Sequence, residues 1–203
     1  LAVASVAVLV GRAYAYGAFE AYLEITNAAM QLEGTASITV EYSAWANADV
    51  NPALGGVSIG VYEADVNNAY AQVGTWAWAG IRGANVLPLG VLNVSGALSI
   101  LAQGVIKATA IIRTPAVAIS GYRVAANVVY AALTAEQTAA IEYALVHAPG
   151  GVSILSKLNE DKAAGNGADA RVGGNGGGTG ISLVHVKANS ATAHANASSN
   201  AYT

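Results

Sequence analysis

The chain has 203 residues, 54% of them hydrophobic and only 10% charged, with a formal net charge of −3. An ordinary soluble domain carries roughly 25% charged residues. A lone subunit of this composition would have difficulty covering itself with solvated groups, whereas one held against neighbours would not. No basic run exists, which removes the footing for nucleic-acid binding. The absence of cysteine excludes a disulfide framework, a zinc ribbon and thiol chemistry.

One domain is the expectation at this length. The chain opens on ten uncharged residues, Leu1–Val10, mostly Ala and Val. The run is too short to span a bilayer as a helix, which takes roughly 20 residues, and too apolar for a disordered tail. Its length, with Ala13-Tyr14-Ala15 as a small-x-small site, also fits a secretory leader. Whether leader or working segment, it points to export. Phe19–Thr26 alternates as a strand, although Phe19, Leu23 and Met30 would also suit a helix. In Thr35–Ala46 the polar residues Thr35, Ser37, Thr39, Glu41 and Ser43 alternate with Ala36, Ile38, Val40, Tyr42 and Ala44. That is a strand with one wet and one buried face.

Weaker alternation recurs in Val57–Val61, Tyr70–Ala79, Ile106–Arg113, Val117–Tyr130, Val152–Leu158 and Ile181–Lys187. Turn signals punctuate these runs: Asn51-Pro52, Gly55-Gly56, Asn67-Asn68, Arg82-Gly83, Leu87-Pro88, Thr114-Pro115 and Pro149-Gly150-Gly151. Thr134-Ala-Glu-Gln137 is a capping-box pattern, so Ala135–His147 reads either as a short helix or as extended chain. Asn159–Gly180, with its local charge and glycine run, reads as a long exposed loop. The sequence predicts a mainly β, antiparallel jelly-roll-like sandwich with an N-terminal donor strand. Residues 1–16 form the assembly segment, 17–187 a single sandwich domain, and 188–203 an extended polar tail.

No catalytic constellation emerges. His147, His185 and His194 lack metal-ligand spacing, and no Gly-x-Ser-x-Gly elbow is present. Gly173–Gly180 lacks the Lys-Ser/Thr ending of a phosphate loop. Glu63-Ala-Asp65-Val-Asn67 places oxygen side chains at alternate positions, as calcium loops do, without the central Gly or closing Glu. No metal or cofactor is expected. Asn93-Val94-Ser95 and Asn196-Ala197-Ser198 are candidate glycosylation sequons. Tyr70, Trp76 and Trp78 share one strand face, as core or interface aromatics or as a platform for sugar rings.

A sandwich with a detached apolar strand has an edge needing a partner and a strand needing a sheet. Donating Leu1, Val3, Val6, Val8 and Val10 to the next copy would satisfy both. Such head-to-tail contact does not close, so it builds a fibre. The apolar run, then Gly11–Tyr16 (Gly-x-Ala-Tyr-Ala-Tyr), then a β-rich domain of low charge resembles the biofilm-matrix filament family of TasA and camelysin type, which includes archaeal bundling pili. The resemblance implies a jelly-roll subunit joined to copies of itself by N-terminal donor strands, outside the cell. Neighbouring filaments are further partners, and the mature form has no membrane or nucleic-acid partner. Rival readings are a type IV pilin-like subunit, with Leu1 to about Met30 as a core helix, and a secreted carbohydrate-binding β-sandwich. An exported hydrolase lacks the acids and histidines for a charged cleft.

Overall fold

The computed structural model describes residues 2–51, 58–113, 118–160, 167–172 and 180–203. Leu1, Pro52, Gly55-Gly56, Thr114-Pro115 and most of the Gly173–Gly180 run lie outside them. The described residues form strands and turns, with no helix among them. A long strand, a short strand and then a second long or medium one recur along the chain. β1 (Ala2–Ile25) leads through short β2 (Ala29–Leu32) into β3 (Ala36–Val50). The second coil repeats this as β4 (Ser58–Gly83), β5 (Gly90–Val94) and β6 (Leu98–Ile112). The third runs β7 (Ala118–Glu142), β8 (Ala144–His147), then β9 (Val152–Leu158) and β10 (Gly167–Val172), and β11 (Gly180–Tyr202) begins a fourth.

Every pairing is parallel, and it joins equivalent strands of successive coils rather than strands across a turn. The large sheet has the order β1-β4-β7-β11, the second places β3, β6 and β9/β10 side by side, and the smallest is β2-β5-β8. Parallel neighbours need a long crossover, and here the crossover is made of strands belonging to the other two sheets. The result is a β-solenoid, flattened so that the large sheet packs on the β3-β6-β9/β10 sheet. This overturns the antiparallel jelly-roll expectation. Period-two alternation reports only that one face of a strand is buried, and a parallel coil satisfies it as fully as a hairpin.

The core is thin because its columns are small. Ala71 and Ala131 stack in register, as do Ala79 and Ala139, and Ala46 lies beside Ala108. At the start of the second sheet's strands Ile38, Ile100 and Ile154 form one continuous column. The two sheets meet where the Phe19 ring stacks on Tyr42, centroids 4.6 Å apart. The neighbouring position, Gly104, has no room for a Cβ beneath the Tyr42 ring. At the interruption between β9 and β10, the Asn159 amide substitutes for a strand. Its Oδ1 accepts from the Ile106 N–H at 2.8 Å, and its Nδ2 donates to the Ile106 carbonyl at 3.2 Å.

Four local expectations change with the topology, and the first is Asn67-Asn68, which is no turn but lies within β4, paired on both sides. The capping-box segment is strand, not helix, because Gln137 points inward, fully buried, and its Nε2 donates to the Ala102 carbonyl and to Ser156 Oγ. Pairing on both sides overrides its helical propensity, and the turn to β8 falls at Tyr143, with φ of 55°. The Asn159–Gly180 segment is not loop throughout, since β10 forms within it. Finally, Ala188–Thr203 is no separate tail but the continuation of β11 along β7 as far as Tyr202. Phe19–Ile25 and Ala36–Ala46 are strand, as read from their alternation, with Thr26 and Thr35 just outside.

Candidate assembly site

The apolar opening segment lies within β1. From Ala2 it pairs with β4 in parallel, Ala2 beside Gly60 and Val10 beside Asn68, so it is the outermost strand of its own sheet. Val6, Val8 and Val10 sit on the outer face, 74%, 60% and 51% exposed. The side chains of Leu1 and Val3 lie outside the described residues. Gly11 faces Val50, where β3 ends, so residues 2–10 extend past the edge of the second sheet. A bare strand edge of this length is a template for another strand. Further along the first coil, a groove of about 650 Å³ is lined by Leu23, Leu32, Ile38, Leu92, Leu98 and neighbours. It is the mouth of the solenoid interior at this end.

The outer face of the large sheet carries stacked ladders. Tyr70 pairs with Tyr130, rings 4.8 Å apart and nearly parallel, and Tyr14 covers its other side at 5.7 Å. Tyr62 stacks on Tyr122 at 5.2 Å. Burial, followed by the neighbouring Tyr130 and Tyr14, raises the Tyr70 hydroxyl above the ordinary tyrosine range. Trp78 is only 4% exposed, with the Arg82 guanidinium 4.3 Å from its ring centre and Tyr22 against its edge. Tyr70, Trp76 and Trp78 therefore do share one outer face, yet the ring faces of Tyr70 and Trp78 are already occupied. A sugar platform needs open ring faces, and of the three only Trp76 has no ring partner assigned.

The inner face of the overhanging part is polar. Asn67 Nδ2 donates to Asn127 Oδ1 at 2.9 Å, and Asn127 Nδ2 donates to Asn189 Oδ1 at 2.8 Å, a ladder across three strands. Beside it, the candidate calcium run has its cation supplied by the protein. Arg123 Nη2 lies 2.7 Å from Asp65, and its Nε lies 3.6 Å from Glu63. Burial holds the Glu63 carboxyl above the usual glutamate range, Asp65 adds to this, and Arg123 opposes it. Each charge meets its opposite in the next coil. That matters because like charges stacked in a parallel column would repel across one strand spacing.

The remaining candidates are scattered. Asn93 lies half-buried on β5, and Asn196 is exposed on the outer face of β11. His147 ends β8 and His194 lies on β11, both exposed, and the His185 side chain lies outside the described residues. The Asn ladder, Arg123 and the partners of Tyr70 were missed from the sequence. The signal that would have found them is recurrence: Asn67 and Asn127 are 60 residues apart, Asn127 and Asn189 62. Gly34-x-Ala36-Ser37-Ile38 returns as Gly96-x-Leu98-Ser99-Ile100 and again at Gly150–Ile154. Compared with known protein families, curated proteins and solved structures, the chain matches none.

Proposed function

We propose that this chain is a structural subunit of an extracellular filament, and that β1 is its polymerising edge. The observation that carries the reading is the parallel stack itself. Among the described residues its two outermost strands, β1 and β11, have 24 and 23 residues and pair on one side only. Adding β1 of one copy to β11 of another continues the sheet in the same sense. The contact is heterologous and does not close, so it propagates as a fibre. The apolar segment Ala2–Val10 then acts from within its own sheet, contributing main-chain hydrogen bonds as a detached donor strand would. Asn and Tyr ladders suit this role, since identical stacked side chains stabilise a continuous parallel array.

Negative-stain microscopy of the 203-residue chain beside a variant lacking residues 1–10 tests the reading. The deletion removes only the part of β1 that projects past the second sheet. Long fibres from the full chain and short or no fibres from the deletion support it. Fibres of equal length from both would show that the projecting part of β1 does not drive polymerisation, and a full chain that forms none would remove the filament altogether.

A further inference from the structure

The two ends of the solenoid do not match. At the first coil β1, β2 and β3 are each outermost in their sheets, so that end is level. At the other end the large sheet runs one strand further. β11 pairs with β7, whereas β8, β9 and β10 belong to the coil before it. Among the described residues no strand of the other two sheets stands at the height of β11, so its inner side lies open. Ala191, Ala193, Ala195, Ala197 and Ala201 are exposed, although their neighbours on β7, Val129, Ala131, Leu133, Ala135 and Ala139, are buried. From Ala188 to Thr203 the one large apolar side chain is Tyr202. This part of β11 is held by main-chain pairing and by the side-chain bonds Asn127–Asn189, Ser156–Ser199 and Glu142–Tyr202.

We propose that the end of the third coil, formed by β7, β8 and β9/β10, is the docking surface for the first coil of a second copy, and that β1 of that copy takes the place of β11 on β7. The inference rests on the reading of β1 as a polymerising edge, and it moves the strand that receives β1 from β11 to β7. Continuity is the first argument. A joint on β11 continues the large sheet alone and leaves the incoming β3 two strand spacings from β9/β10. On β7 the incoming copy continues all three sheets at once. The 23 residues of β11 give way to the 24 of β1, and the 4 of β2 and 15 of β3 are added. Register is the second argument. Glu41, Gln103 and Lys157 form one column, and Asp49, Ile111 and Arg171 another. Continued by one strand, these columns set the incoming Glu41 beside Lys157 and the incoming Asp49 beside Arg171, opposite charges one strand spacing apart. Lys157 already meets Glu160, Arg171 meets Asp169, and Asp49 meets Arg113, so the joint links existing pairs into networks. In the same register the incoming Ile38 extends the column of Ile100 and Ile154, and Ser37 that of Ser99 and Ser153. One like pair arises, Glu24 beside Glu142, and Arg82 already faces Glu142. In the single chain β11 keeps the accepting edge of β7 covered.

The axial rise per copy tests this. Fibres of the full chain are expected to repeat at three coil heights, about 14 Å, where a joint on β11 repeats at four, about 19 Å; fibre diffraction reads the difference. The cysteine-free chain allows a second test. In the double variant Glu41→Cys/Lys157→Cys the two thiols of one copy stand two coil heights apart, about 10 Å, beyond the roughly 7 Å limit of a disulfide. Across the proposed joint they stand one coil height apart, so mild oxidation of the fibres is expected to give a ladder of covalent multimers on a denaturing gel. Glu41→Cys/Arg171→Cys, whose columns lie far apart along the strand, is expected to give none. A rise of about 19 Å, fibres in which Glu41→Cys/Lys157→Cys stays monomeric, or equal linking by Glu41→Cys/Arg171→Cys overturns the inference and leaves the filament standing. Absence of fibres removes the filament reading and the inference with it.

Discussion

Replacing Asn127 with alanine breaks the middle rung of the side-chain ladder. Asn127 is 2% exposed, accepts from Asn67 and donates to Asn189. Two hydrogen bonds at about 1 kcal/mol each are lost. Asn67, itself 2% exposed, keeps a buried donor without its acceptor, a further cost of about 1–3 kcal/mol. The total is about 3–5 kcal/mol, which lowers the urea midpoint by roughly 1 M or more at an m-value near 3 kcal/mol/M. Asn189 lies exposed on the outermost strand, where water can replace the lost group, so Asn189→Ala costs under about 1 kcal/mol. The first coil already places Leu9 beside Asn67 in this column. Hence the double variant Asn67→Leu/Asn127→Leu, which removes both partners, recovers to within about 1 kcal/mol of the parent. Urea titrations followed by circular dichroism, with m unchanged, measure all three. An Asn127→Ala cost no larger than that of Asn189→Ala would refute the ladder as a buried structural element.

Four other outcomes follow from the same geometry. Arg123→Met leaves Glu63 and Asp65 facing each other without their cation and costs about 3–5 kcal/mol, read as a lowered midpoint at pH 7. The Glu63 carboxyl is held above its ordinary value, so the folded state keeps that proton longer. Its contribution is fully present below about 4.5, the ordinary glutamate value, and is lost as pH rises above it. Glu63→Gln therefore gains stability relative to the parent over that rise, and a parallel pH dependence for the two proteins would contradict the assignment. Arg82→Ala uncovers Trp78 and loses the cation–π contact, about 1–2 kcal/mol, with a red shift in tryptophan emission; an unshifted spectrum would place Arg82 away from the ring. Gly80→Ala sets a Cβ against the Ala140 carbonyl of the neighbouring strand, so the thermal midpoint falls well below that of Gly34→Ala, where no atom lies nearby although φ is +81°.

The strand content and the inward or outward sense of many residues were legible in the sequence. Thr35–Ala46 alternates because one face of any half-buried strand must be apolar, whatever its neighbours. Val6, Val8 and Val10 were likewise separable from Ala7 and Leu9 by parity alone. Which strand hydrogen-bonds to which was not legible locally, since a strand's own residues are compatible with an antiparallel or a parallel partner. That information lies in the spacing of Asn67, Asn127 and Asn189 and of the Gly-x-x-Ser-Ile segments, about one coil apart. Gln137 shows the same limit: its capping-box context is local, whereas its acceptor, the Ala102 carbonyl, is supplied by the opposite sheet.

The scarcity of charge was visible at once, and the tertiary structure adds a reason for it. Read alone, 10% charged residues suggested surface lost to neighbouring copies. In the solenoid, each residue stacks on its counterpart one strand spacing away, so a charge is tolerated where the next coil answers it, as Arg123 answers Glu63 and Glu142 answers Arg82. Many of the other columns hold alanine, valine, isoleucine, asparagine or tyrosine, whose stacking is neutral or favourable. Composition and alternation thus determined a β protein that is short of charge. The folding of the chain onto itself at coil spacing decided that its strands run parallel, that Tyr70 and Trp78 are covered, and that β1, among the described residues, pairs on one side only.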